Sequence, residues 1–169
     1  FYPCEVNSSS SSYSYFSWAL WMNGITDDPH QFNNYSEVLP YFTAKLPGDP
    51  RVGEFAGIVL QMAGLLATGS LETLDDDLSQ GSTTIYRLRE GIERFFITDI
   101  NNPAGSALAQ STLPVMADWV NNNPDAGNEF NHIPGGSNVL YLDGHVEFLR
   151  YPGVWPVSPL FAVVSGTNW

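Results

Sequence analysis

The sequence predicts an α+β fold, an antiparallel β-sheet packed on one or two helices, and three stretches carry that expectation. "SNVLYLDGHVEFL", residues 137 to 149, sets Asp143-Gly144 between two short apolar runs, a strong short-range signal for a β-hairpin. Residues 50 to 66 place apolar side chains three and four apart, the spacing of an amphipathic helix. "LPVMADWV", residues 113 to 120, reads as a further strand.

Taken in order, the chain opens with "FYPCEVNSSSSS", whose serine run reads as a surface loop. The dense aromatic segment from Tyr13 to Met22 suits a buried strand, and "TDDPHQFNN" a turn broken by Pro29. Asp49 is a natural N-cap and Pro50 fits the first helical position. Val52, Phe55, Val59, Met62 and Leu66 then form the helix stripe, Ile58 and Leu65 widen it, and "ATGS" ends it. "LETLDDDLSQGST" reads as an acidic, exposed connector. Residues 83 to 98 suit a strand or turn entering a short helix, and "PAGSALAQS" a second short helix from Pro103. A two-residue type I′ loop in the hairpin would set Tyr141 opposite Val146 and Val139 opposite Phe148, gathering these four on one apolar face. The apolar, β-branched run at 160–164 is expected to be a strand, in the same sheet or added to a neighbouring subunit's sheet.

Composition excludes several functions. At 169 residues, 43% hydrophobic and 14% aromatic, the chain is one domain, residues 1 to 169, with enough apolar material for a core. Eighteen acids against six bases give a net charge of −12, which argues against nucleic-acid backbones and anionic lipid alike. No apolar run approaches the roughly 20 residues of a transmembrane helix, so no membrane contact is expected from this chain. Phe1 in place of Met implies a processed or truncated chain. Cys4 is the only cysteine and fits either a partner outside the chain or a buried thiol.

Catalytic motifs are absent: there is no HExxH, GxSxG, Walker loop or Rossmann glycine pattern. His30, His132 and His145 lack metal-ligand spacing, so no enzyme, metal or cofactor is expected. His132, Asp143 and His145 are the candidates for a catalytic or metal role, with His132 and Asp143 meeting in space; the commoner role, a histidine holding a turn by a side-chain hydrogen bond, is the one expected of His132. The oxygen-rich loops around Asp27, Asp75 and Asp125 could hold a structural Ca²⁺, though none has EF-hand spacing. Asn7-Ser8-Ser9 and Asn34-Tyr35-Ser36 are N-glycosylation acceptor patterns, and Ser8–Ser12 could carry O-linked sugar.

"FNHIPGGSNVLYLDGHVEFLRY", residues 130 to 151, with "LREGIERFFITDINNPAGSALAQSTLPVMADW" before it, resembles the C-terminal head of prepilin-type pseudopilins of planctomycetes and verrucomicrobia. The family pattern, a His, a short spacer, then Asp-Gly, His-Val and an aromatic, falls on His132, Gly135, Gly136, Asn138, Asp143, Gly144, His145, Val146 and Phe148. The match runs over about residues 83 to 152, and the early Cys and Ser-Tyr segment is similar too. Ten residues separate His132 from Asp143, one more than the family has, with Pro134 as the extra residue. The resemblance implies a pilin-like head whose N-terminal apolar helix lies outside this chain. It implies a non-enzymatic subunit of an extracellular or cell-surface bacterial filament, a type IV pilus-like fibre or a secretion pseudopilus, whose partners are other copies of itself. The alternative from the residues themselves is a secreted carbohydrate- or surface-binding module using Trp18, Trp21, Trp119, Trp155 or Trp169.

Overall fold

The computed structural model describes residues 13–16, 18–19, 24–68, 76–92, 110–121, 132 and 135–165. Mixed helices and antiparallel sheets give an α+β fold. The main sheet is four-stranded and antiparallel, in the order β1 (Tyr13–Tyr15), β4 (Pro114–Asp118), β5 (Gly136–Tyr141), β6 (Val146–Arg150). A separate hairpin pairs β2 (Leu78–Gln80) with β3 (Thr83–Ile85). The helices are α1 (Val38–Lys45), α2 (Pro50–Thr68) and α3 (Pro159–Ser165).

The long helix starts as its sequence dictates. Asp49 Oδ1 accepts from Arg51 N at 2.9 Å, and the Asp49 carbonyl from Val52 N at 3.2 Å. The stripe then divides its work. Val52, Phe55 and Val59 join Val38 and Phe42 of α1, Ile25, Phe32, and Leu160 and Val163 of α3 in one core cluster. Ile58, turned to the other side, packs with Trp18, Leu78 and Ile85.

The hairpin Asp-Gly turn forms, but not as a two-residue loop. Tyr141 N donates to the His145 carbonyl at 3.0 Å and Gly144 N to the Tyr141 carbonyl at 2.9 Å, with Gly144 at φ +90°. This is a three-residue loop, Leu142-Asp143-Gly144, closed by a glycine in the left-handed region. The extra loop residue shifts the expected register by one: Val139 lies opposite Glu147 and Leu140 opposite Val146. A one-residue slip sends a strand's side chains to the other face. Val139 and Tyr141 therefore face the core, while Val146 and Phe148, expected beside them, are 60% and 46% exposed on the outer face.

Three further expectations are corrected. The run at 160–164 is helix, not strand. Ser158 caps it, its Oγ accepting from Phe161 N at 3.4 Å and its carbonyl from Ala162 N at 3.0 Å, with Pro159 in the first helical position. Second, the layer against the main sheet is not α2. Val157 and Ala162, from α3 and its lead-in, pack with Ala117, Val139 and Tyr141. Third, the acidic connector is not all exposed loop: Leu78 is buried, and 78–80 form β2. Glu54 of α2 fastens this hairpin, accepting from Ser82 N at 2.8 Å, Ser82 Oγ at 2.9 Å and Thr83 Oγ1. Gly81 there takes φ +60°, a left-handed conformation that strains other residues, and a β-carbon would stand 2.4 Å from Glu54 Oε1, pushing that carboxylate off the hairpin. Of the expected strand across 13–22, Tyr13–Tyr15 form β1 and Trp18 bridges to Arg87, while 17 and 20–22 lie outside the described residues. Most of the expected helix from Pro103 lies outside the described residues, although 110–112 are helical.

Leu160→Ala should lower the free energy of unfolding by about 2–5 kcal/mol in a urea titration, since it opens a cavity among buried side chains. Leu60→Ala, on the exposed side of α2, should change it by less than about 0.5 kcal/mol. Equal effects at the two positions would place α3 outside the core.

Candidate functional site

The outer face of the sheet is built by strand alternation. Tyr13 and Tyr15 of β1 point outward, 61% and 64% exposed, while Phe16 turns in. Tyr15 lies opposite Met116, Met116 opposite Leu140 and Leu140 opposite Val146, so one row crosses all four strands. Tyr13 lies opposite Asp118, and Asn138 opposite Phe148, in the adjoining row.

A polar cluster sits in this second row. Asp118, 5% exposed, accepts at Oδ2 from Asn138 N at 2.9 Å and Asn138 Nδ2 at 2.8 Å. His132 Nε2 reaches the same oxygen at 2.7 Å and lies 2.8 Å from Asn138 Nδ2. A buried carboxylate needs such partners, because leaving it without them costs several kcal/mol. The His132 ring also meets Phe148 edge-on at 5.8 Å. Phe148 in turn covers Gly136, where a β-carbon would come within 2.6 Å of the ring and of the Leu149 carbonyl oxygen. Glycine at 136 is a demand of close packing.

At the far end of the hairpin Asp143 Oδ1 accepts from His145 N at 3.1 Å and lies 2.6 Å from His145 Nδ1. These bonds, backbone first, hold the Asp143 carboxyl below its ordinary pKa. His145 stacks on Tyr141 at 4.4 Å with the rings 5° from parallel. Burial, then the nearby Glu147 charge, raises the Tyr141 hydroxyl. The hydrogen bonds from Thr83 and Ser82 lower the Glu54 carboxyl in the same way.

The structure thus separates the residues of the sequence motif into two groups. His132, Gly136 and Asn138 meet at one end of β5, and Asp143, Gly144 and His145 form the turn at the other. His132 does not meet Asp143 as expected; its carboxylate is Asp118, at the end of β4. Gly135, at φ +127°, leads into β5. Each group holds backbone in place. Among the described residues, no group of three or more His, Cys, Asp or Glu could hold a metal ion, and no helix is long and apolar enough to cross a membrane.

Of the tryptophans, Trp18 is buried, donating from Nε1 to the Asp76 carbonyl at 2.9 Å under the Arg87 guanidinium. Trp155 packs against Phe16 and Phe161, while Trp21 and Trp169 lie outside the described residues, as do Cys4 and Asn7. Asn34 is exposed before a single 3₁₀ turn; its Oδ1 accepts from Ser36 Oγ at 2.5 Å. No protein-family model, curated protein or solved structure matches the chain.

Two outcomes follow. Asp118→Ala strands the Asn138 amide and His132, and should destabilise the fold by about 1–3 kcal/mol, read by chemical denaturation. The Glu54 and Asp143 carboxyls, with pKa values below their ordinary 4.5 and 3.8, give stability that is complete above those values. It is lost as the pH falls through the depressed folded values, because the unfolded chain binds protons first. The thermal midpoint should therefore drop on acidification below about pH 4.5, and less steeply in Glu54→Gln. A midpoint equally pH-dependent in that variant would remove Glu54 from the account.

Proposed function

We propose that this chain is the globular head of a prepilin-type filament subunit, a non-enzymatic structural protein that works at or outside the cell surface and assembles with copies of itself. The observation that carries the reading is the use made of the motif residues. His132, Gly136, Asn138, Asp143, Gly144 and His145 all brace one β-hairpin, so the motif acts as architecture, as the resemblance asks. The strongly acidic composition, −12 over 169 residues, suits a surface that stays hydrated and does not bind nucleic acid.

Immunogold labelling of fibres sheared from the source cells, with antibody to this chain, tests the proposal. Labelled fibres are expected. Label confined to a soluble fraction, with bare fibres, would sink it.

A carbohydrate-binding role is the second reading, favoured by Tyr13, Tyr15 and Phe148 on the open sheet face, since aromatic rings stack on sugar faces. A glycan array separates the two. Binding that is lost in Tyr15→Ala would favour the module, and an array with no signal would exclude it.

A further inference from the structure

β6 is an outer strand of the main sheet, and among the described residues nothing pairs with its far side. Edge strands of this kind are usually protected by a proline, charged side chains (lysine above all), a bulge or very short length. Of these β6 has only Glu147 and Arg150, two charges of opposite sign. Val146-Glu147-Phe148-Leu149-Arg150 contains no proline or lysine, runs five residues, and keeps one register along its whole length. The opposite edge, β1, is only three residues long.

We propose that β6 pairs antiparallel with β6 of a second copy, across a two-fold axis through Phe148, extending two four-stranded sheets into one. The backbone parity selects this register. Tyr141 N bonds to the His145 carbonyl and Tyr151 N to the Gly135 carbonyl, so residues 145, 147, 149 and 151 turn their amides toward β5. The N–H and C=O groups of Val146, Phe148 and Arg150 accordingly point away from the sheet. Directly opposed residues in an antiparallel pair share a face, so a symmetric register centres on a single residue.

Centring on Phe148 sets its N–H and C=O against those of Phe148 in the second copy, two reciprocal hydrogen bonds. Arg150 N–H then meets the Val146 carbonyl of the second copy, and the symmetric contact makes four. The Arg150 carbonyl is covered by Gly153, where a β-carbon would stand 2.4 Å away, and this closes the strand's C-terminal end. Centring on Glu147 would oppose two carboxylates directly, which is destabilising. Centring on Leu149 would bring Pro152, which has no N–H, opposite Val146.

The side chains agree with the same register. Phe148 meets Phe148, an aromatic cross-strand pair, and the Arg150 stem lies along Val146. Charge argues for a second copy over any other strand. The chain carries −12, so most of its surface repels another copy, yet β6 holds one acid and one base and is neutral. A two-fold contact closes on itself and cannot propagate a fibre. The inference therefore concerns the head alone and stands or falls apart from the filament reading.

Sedimentation velocity of the 169-residue chain should show a dimer at tens of micromolar. Phe148→Lys, which puts two cations on the axis, should sediment as a monomer with an unchanged circular dichroism spectrum. In a Cys4→Ser background, oxidised Phe148→Cys should cross-link to a disulfide dimer, because opposed hydrogen-bonded residues lie about 5.5 Å apart at Cα. Val146→Cys, two residues off the axis, should not. A wild-type chain that stays monomeric at about 200 μM would overturn the proposal. So would a dimer in which Val146→Cys cross-links and Phe148→Cys does not. The wild-type and cross-linking results decide the matter even where Phe148→Lys fails to fold.

Discussion

The fold depends on one seven-residue helix being apolar all round. α3 presents Leu160 and Val163 to α1 and α2, and Ala162 to the inner face of the main sheet. A helix this short does not hold its shape in water by itself, because nucleation is costly and few hydrogen bonds repay it. Burial on both sides makes it persist. In return, it gives the sheet an inner layer and gives α2 something to close upon. Val157 and the Phe16, Trp155 and Phe161 ring cluster, with centroids 5.2 to 5.6 Å apart, seal the sheet side of this wedge.

What the sequence could and could not disclose follows from the range of the interactions. The cap and stripe of α2 are local, and Asp49, Pro50 and the apolar spacing were enough to place it. The hairpin turn was equally local. Its register was not, because Asp143-Gly144 serves a two-residue loop or the end of a three-residue loop, and only the Tyr141–His145 bond tells them apart. In α3, β-branched Val163 and Val164 pointed to a strand. Ser158 caps the segment and Pro159 takes its first position, and burial between two layers makes it helix. β2 was hidden because its inward residue, Leu78, sits among acids that look like exposed loop.

The polar cluster shows the same limit at the level of chemistry. His132, Gly136 and Asn138 were visible as a motif, and a histidine bracing a turn was the role expected of it. Its partner Asp118 lies 14 residues away, at the end of β4. It came into reach only because β4 pairs with β5, setting Ala117 opposite Val139 and hence Asp118 beside Asn138. The signal that could have found it is the acid itself: Asp ending an apolar strand, next to a bulky Trp119, needs a buried partner or an exposed position.

Charge ties these observations together. With three times as many acids as bases, the chain has few cations to neutralise its buried carboxylates. Lys45 serves buried Asp28, while Arg51 and Arg89 serve the half-buried Asp49 and Asp77. Asp118 and Glu54 are held instead by amides, hydroxyls and, for Asp118, an imidazole. Such groups stabilise a carboxylate by hydrogen bonding without bringing a permanent opposite charge. Acidic surface and stable interior are thereby compatible, and no further lysine or arginine is needed inside. The same shortage of cations makes position matter for those that remain. Arg150 lies on the open edge strand, where it cancels Glu147 and leaves β6, among the described residues, the longest sheet edge that another copy of an otherwise repelling molecule can approach.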